Sequence, residues 1–476
     1  MGRLFGTDGV RGIAGEDMTC ELAMEIGRAA ATVLTYGRRR RPLVVLGKDT
    51  RLSSDMLGAA LAAGLCSVGA DVIDLGVMST PAVAYLVGKY KADAGVMISA
   101  SHNPYPFNGI KIFGGEGFKL PDELEDQIET LVLDKAGEIP LVSGGDLGQI
   151  THCPSAVRDY IEHLKSTIPY SLDGMKIAVD CANGSASASA RTLFEELGAE
   201  AVILSDQPNG VNINEGCGST HMEALKEYVA SHEEIVAGVA FDGDADRCLF
   251  VDEKGNEVDG DFIMAICGLD MLQRGKLRRA TIVGTVLTNM GFARFCAQNG
   301  IHFAATKVGD RYVLEEMELE GYNLGGEQSG HVIFREFATT GDGQLTALQL
   351  LCLLKRSGTP LSELAQVMSR MPQVMENVEV SAQGKLQFYN NEAIKQGVAQ
   401  AKDQLGDRGR VLVRVSGTEP LVRVMVEAED PAEIQALALS LADLVRRKLA
   451  CFFRHNTKRT AAFSHCGKGG CFCAYL

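Results

Sequence analysis

Three stretches of this chain repeat one plan: an apolar strand, a loop of small residues, an alanine-rich helix, a glycine, then a second strand. They read PLVVLGKDTRLSSDMLGAALAAGLCSVGADVIDLG, MKIAVDCANGSASASARTLFEELGAEAVILS and ATIVGTVLTNMGFARFCAQNGIHFAATKVGD. Each reads as a βαβ unit, with Gly69, Gly198 and Gly300 near the helix C-termini, where a left-handed residue ends a helix most cheaply. Three such units predict three similar α/β domains in tandem, although any doubly wound protein yields segments of this kind. A chain of 476 residues, 46% of them hydrophobic, can bury the several cores this requires.

After about residue 370 the pattern changes. RVLVRV and PLVRVMVEA flank SGTE as a hairpin-like unit. In DPAEIQALALSLADLVRRKL, Asp430 can cap a helix, Pro431 can take its first position and Glu433 can complete a capping box. A small α+β domain is expected here. The domains are placed at 1–153, 154–252, 253–370 and 371–450. Residues 451–476 carry four cysteines and no acidic residue. The closing Cys473-Ala474-Tyr475-Leu476 fits a prenylation box only formally, and His465, Cys466, Cys471 and Cys473 match no zinc spacing. This stretch is expected to be an appended, disordered, basic tail.

Charge and cysteine usage limit the partners. A net charge of −15 argues against a nucleic-acid or anionic membrane surface, so an anionic substrate needs a locally basic pocket. No apolar run approaches the ~20 residues that span a bilayer, and MGRLFGTDGVRG lacks a secretory apolar region. Nine of the 13 cysteines are scattered singly between Cys20 and Cys352 without a CxxC pair, as in the reduced thiols of a cytoplasmic protein.

Four clusters carry chemistry. The first, SASHNPYPFNGIK (99–111), follows the apolar run 94–98. Asn103-Pro104 and Pro106 forbid regular structure, so its serines are expected on a loop at a strand end, where open parallel sheets place ligands. The composition also suits a polar turn without chemistry. The second, AFDGDADRCLFVDE, alternates Asp242, Asp244 and Asp246. In a strand the outer two would lie about 13 Å apart at ~3.3 Å per residue. A single Mg²⁺ binds its ligands at about 2.0–2.1 Å, so the segment must curl to make a site. Arg247 stands where an EF-hand needs glycine, and 248–251 reads as a strand. That favours a hard-metal site at a strand end over calcium buffering, with a solvated acidic turn as the alternative. In the third, GGEQSGHVIF, Glu327 and Ser329 suit the hydroxyls or amine of a sugar, while His331 could simply pack. The fourth, RVSGTEP with Arg423 beyond it, offers backbone N–H groups, hydroxyls and two arginines to a phosphate, or else an ordinary hairpin turn. Nucleophile, metal, hydroxyl and phosphate loops together describe phosphoryl transfer on a polyol.

The combination SASHNP, DGDADR, GEQSGH and RVSGTEP resembles the α-D-phosphohexomutase superfamily, in this order and over roughly residues 2–450. FGTDGVRG, Gln328 of GEQSGH and SGTEP are most similar to its branch acting on glucosamine phosphate, with phosphomannomutase or phosphoglucomutase activity as the alternative. The resemblance implies three tandem α/β domains and a C-terminal α+β domain around a central cleft. It implies Ser101 as phosphoserine and Ser101, Asp242, Asp244 and Asp246 as the ligands of one Mg²⁺. Glu327 and Ser329 would contact sugar; Arg414, Ser416, Gly417, Thr418 and Arg423 would hold phosphate. Lys111 and Arg11 would lie near the phosphoserine with His102 and Arg247, His102 assisting or orienting. Lys111 is the expected general acid/base, its pKa lowered toward neutrality by burial and a neighbouring cation. The implied reaction passes from glucosamine 6-phosphate through a 1,6-bisphosphate to glucosamine 1-phosphate, supplying amino-sugar nucleotide (UDP-GlcNAc) and cell-wall synthesis. The expected partner is this small hexosamine phosphate, with a homodimer plausible. Reorientation of the bisphosphate suggests a mobile fourth domain hinged near 371–378.

Overall fold

The structure, a computed structural model, describes residues 3–6, 8–35, 40–416 and 420–449. The tail 451–476, with its cysteines, lies outside the described residues, as do Gly417 and Thr418. The chain divides into two compact units at Arg370/Met371.

The first unit holds three sheets. The first contains β1 (Val10–Ile13), β2 (Leu43–Lys48), β3 (Asp71–Val77), β4 (Ala94–Ile98), β5 (Phe107–Gly114) and β6 (Ile150–His152), in the order β1-β5-β4-β2-β3-β6. The second contains β7 (Lys176–Asp180), β8 (Glu200–Leu204), β9 (Ala237–Phe241), β10 (Cys248–Asp252) and β11 (Glu257–Val258), in the order β11-β10-β9-β7-β8. The third contains β12 (Thr281–Thr285), β13 (His302–Thr306), β14 (Leu324–Gly326) and β15 (Val332–Phe334), in the order β13-β12-β14-β15. Each repeated stretch forms its parallel pair, β2/β3, β7/β8 and β12/β13, across an intervening helix.

The repeat extends further than the sequence pattern shows. In every sheet the next strand joins the other side of the first in parallel (β4, β9, β14), then turns back as an antiparallel partner (β5, β10, β15). The three turns so formed are 99–106, 242–247 and 327–331, the first three chemical clusters. β4, β9 and β10 are fully buried apolar strands, so their polar termini are thrust to the sheet ends.

One hydrophobic core runs through all three sheets, from Val45, Val83 and Leu86 through Tyr160, Phe194, Phe241 and Phe250 to Ile263, Phe292 and Leu348. That continuity makes three α/β repeats one compact unit. Six cysteines, among them Cys181 and Cys248, are buried, and all nine described ones are free thiols. Among the described residues no helix is long and apolar enough to cross a membrane.

The second unit is α+β. β16 (Gln373–Glu379), β17 (Gly409–Val415) and β18 (Leu421–Ala428) form an antiparallel sheet ordered β16-β18-β17. Val411, Val422, Val424 and Val426 pack with Ile394, Leu405, Leu441 and Val445 of the helices Glu392–Leu405 and Pro431–Leu449. Asp430 Oδ1 accepts from Ala432 N at 2.9 Å and so caps the last helix. The expected reciprocal box does not form, because Glu433 turns instead to Gln404 and Arg408. Of the stretch 371–378 expected to hold the hinge, residues 373–378 pair with β18 at every position and belong to the sheet of the second unit, so that part cannot flex as a linker.

Candidate active site

Ser101 lies three residues beyond β4, is 1% exposed, and has φ of 52°, a left-handed conformation that strains any residue bearing a Cβ. Its Oγ donates to Asp242 Oδ2 at 2.7 Å. His102 Nδ1 lies 3.5 Å from that Oγ and 3.1 Å from Arg247 Nη1. Burial, then the Arg247 and Arg11 cations, push the His102 pKa down to about 4. The imidazole is therefore neutral and can accept the guanidinium N–H at Nδ1.

The second turn curls as the metal argument requires. Ala245 has φ of 55°, Ala245 N donates to Asp242 O at 3.0 Å, and the carboxylates of Asp242, Asp244 and Asp246 each bring an oxygen within 4.8 Å of the others. The turn is gripped by all three repeats: Thr80 N donates to Asp244 O at 3.0 Å, Ser185 N to Gly243 O at 2.8 Å, and Gly343 N to Ala245 O at 3.0 Å. Among the described residues, Asp244 Oδ1 and Asp246 Oδ1 are buried without a hydrogen-bond donor. Burial and the neighbouring Asp246 and Asp244 charges raise the Asp242 pKa to about 8. Crowded, under-satisfied carboxylate oxygens fit a small hard cation.

Lys111, on β5, is almost wholly buried and points at carboxylates: its Nζ lies 2.7 Å from Asp244 Oδ2, 2.9 Å from Asp8 Oδ2 and 3.3 Å from Asp246 Oδ2. The expectation of a pKa lowered toward neutrality is corrected here. Burial does act in that direction, but Asp244, Asp8 and Asp246 outweigh it and hold the ammonium well above its ordinary range. Arg11 on β1 stands opposite Gly109 of β5, two residues from Lys111, so both cations lie on one face of the sheet. Arg11 also pairs with Asp8. Asp8 in turn meets Lys119, which pairs with Asp310 at the start of the helix Asp310–Glu320.

In the third turn Glu327 Oε1 accepts from Gly309 N at 3.1 Å, while Ser329 Oγ is buried with no hydrogen-bond partner among the described residues. Gln328 donates its amide to Asp259 Oδ2 at 3.1 Å, a carboxylate that also caps the helix Gly260–Gln273 and pairs with Arg370. His331 does more than pack. Its Nε2 accepts from Gly341 N at 3.0 Å, leaving Nδ1 to face Asp246 Oδ2 at 3.8 Å.

In the second unit, Arg414 of β17 and Arg423 of β18 are direct cross-strand partners, and Ser416 N closes on Leu421 O at 2.8 Å. Both guanidinium stems therefore rise from one face of the sheet beside the turn. Within the first unit, Ser101, His102, Lys111, Arg11, Arg247 and the three aspartates form one connected constellation. Asp8, Thr80 and His331 join it without having been singled out as site residues. Asp8 stood within the quoted FGTDGVRG, whereas Thr80 is an unremarkable helix-start residue whose Oγ1 reaches Asp244 Oδ2 at 2.5 Å across 164 positions.

Four family models match in succession: phosphoglucomutase/phosphomannomutase alpha/beta/alpha domain I over residues 2–137, domain II over 158–255, domain III over 259–371 and the C-terminal domain over 375–444. The chain is 55% identical over 449 residues to the phosphoglucosamine mutase of Caldanaerobacter subterraneus subsp. tengcongensis, covering 94% of this chain and 100% of that one. Among solved structures, a phosphoglucomutase/phosphomannomutase family protein from Burkholderia thailandensis superposes with a TM-score of 0.79 at 24% identity, covering 93% of this chain and 97% of the other. The Aspergillus fumigatus N-acetylphosphoglucosamine mutase in complex with GlcNAc-6P and magnesium gives 0.69 at 18% identity, covering 94% and 96%. At these identities the structural likeness concerns the fold.

Proposed function

This chain belongs to the phosphoglucomutase/phosphomannomutase family, and on that premise we propose that it interconverts glucosamine 6-phosphate and glucosamine 1-phosphate, as an intramolecular phosphotransferase. Phosphorylated Ser101 gives its phosphoryl group to the C1 hydroxyl of glucosamine 6-phosphate. The resulting 1,6-bisphosphate reorients and returns its 6-phosphoryl group to Ser101, releasing glucosamine 1-phosphate. The observation that carries this reading is Ser101 itself: a buried hydroxyl, in a strained backbone conformation, donating directly into the carboxylate cluster at Asp242.

The residues divide the work by charge. A phosphoserine near −2 must meet a substrate phosphate of similar charge, a repulsion of several kcal/mol at low effective dielectric. Lys111, held protonated, and Arg11 offset it from one sheet face. Asp242 Oδ2 accepts the hydrogen bond of the Ser101 hydroxyl whenever Ser101 is unphosphorylated. His102 acts as an orienting group, since its Nδ1 is engaged by Arg247. Asp242, Asp244 and Asp246, with an oxygen of the phosphoserine, would hold one Mg²⁺, which when bound supplies electrophilic polarisation of the phosphoryl oxygens. Glu327 and Ser329 serve the sugar hydroxyls; Arg414, Ser416, Gly417, Thr418 and Arg423 serve its distal phosphate.

The test is kcat/KM for glucosamine 6-phosphate, mannose 6-phosphate and glucose 6-phosphate, measured with Mg²⁺ and a trace of the matching bisphosphate. A preference of about a hundredfold for the amino sugar, roughly 2.7 kcal/mol, is expected. Equal or better use of mannose or glucose phosphate would move the assignment to the phosphomannomutase/phosphoglucomutase branch and leave the Ser101 chemistry standing.

A further inference from the structure

The loop that presents Ser101 is held from behind by a group the reaction does not use. Arg51, at the start of the helix Leu52–Ser67, and Asp49, just beyond β2, are 2% and 1% exposed. All five guanidinium N–H groups of Arg51 are spent. Nε donates to Asp49 Oδ2 at 2.7 Å, Nη1 to Pro104 O at 2.6 Å and Phe107 O at 3.0 Å, and Nη2 to Ser101 O and Asn103 O, both at 2.8 Å. Three carbonyls of the nucleophile loop and the first of β5 thus converge on a single rigid fork.

The other end of the pair reaches the same residue. Ser99 Oγ donates to Asp49 Oδ2 at 2.6 Å and accepts from Ser101 N at 3.0 Å. Asn214 Nδ2 adds a second donor to Ser101 O at 2.9 Å. The backbone N–H and C=O of Ser101 are therefore both fixed by one buried network, and that network is what sustains its left-handed φ, since strain of this kind persists only where surroundings over-determine it.

We infer that Arg51 is a positioning residue for the phosphoryl-carrying serine. It keeps the loop in one conformation whether or not Ser101 is phosphorylated, so that transfer in both directions needs no backbone reorganisation. The inference rests on the reading of Ser101 as the carrier.

The experiment labels the full-length wild type, Arg51→Lys and Asp49→Asn with ³²P from glucose 1,6-bisphosphate. It then compares two rates from the labelled protein: transfer to glucosamine 6-phosphate and loss to water. Their ratio is independent of the fraction of protein folded, so a merely structural role leaves it unmoved. A lysine has three donors and no planar fork, and its ratio is expected to fall about tenfold or more, with KM within about twofold of wild type. Asp49→Asn keeps the shape of the side chain but removes the charge that holds Arg51 Nε, and is expected to fall less, which preserves the test if the lysine variant does not fold. Unchanged ratios in both labelled variants would overturn the proposal alone. A wild type that takes no label at Ser101 would overturn the underlying reading, and the proposal with it.

Discussion

Lys111 shows how a residue's neighbours, more than its burial, decide its chemistry. Alone in an apolar pocket, a lysine loses its proton readily; beside Asp244, Asp8 and Asp246 it keeps it. Lys111→Met should lower turnover by about a hundredfold or more, because three buried carboxylates lose a shared cation. The height of its pH–rate profile between pH 6 and 9 should fall without a change of shape, which a titrating general base at this position would not allow. Glu129 carries a different pH dependence. Burial pushes its pKa up, but the backbone N–H groups of Arg3, Leu4 and Phe5, at 2.7, 2.6 and 3.2 Å, more than reverse this and hold it below the ordinary carboxylate range. A depressed folded-state pKa contributes stability above the unfolded value, about 4.3, and loses it as pH falls through the folded value. Thermal melts from pH 6 to pH 3 should therefore show a shallower loss of Tm for Glu129→Gln than for wild type, from a lower starting point.

At the scale of elements, the loops proposed to carry the nucleophile, the metal and the sugar contacts are one turn used three times. Each joins the third strand of a βαβ-derived sheet to an antiparallel partner, at β4/β5, β9/β10 and β14/β15. A buried apolar hairpin fixes its turn in space better than a free loop, which is where catalytic groups need rigidity. The turns also pack on one another. A Cβ added at Gly243 would stand 2.6 Å from Ser101 O and 2.8 Å from Asn214 Nδ2. Gly243→Ala should therefore displace the serine loop and the carboxylates together, lowering kcat by about tenfold to a hundredfold while far-UV circular dichroism stays unchanged. If activity survives intact, the contact between the two turns is not part of the active geometry.

At the scale of the whole molecule, the carboxylate cluster is a site whose occupation should be felt as stability. Among the described residues Asp244 Oδ1 and Asp246 Oδ1 lack donors, and the Asp246 and Asp244 charges oppose a charge on Asp242. Mg²⁺ at about a hundred times its Kd would add ~2.7 kcal/mol, seen as a Tm rise of a few degrees that EDTA reverses. Asp246→Asn should melt at a temperature nearly independent of Mg²⁺. The sequence by itself determined the three parallel pairs, the change to an antiparallel C-terminal unit and the four polar clusters, because strand periodicity, helix-ending glycines and prolines are local and leave their mark within a dozen residues. Asp49 and Arg51 were within reach too, as charged residues placed directly after an apolar strand in KDTR. Only the tertiary structure decided that Lys111 stays charged, that Gln328 is tied to Asp259, and that Arg51, Thr80, Asn214 and His331 attend the site. Those facts depend on residues 50 to 164 positions apart meeting in a low-dielectric interior, and no local pattern records which charges will meet there.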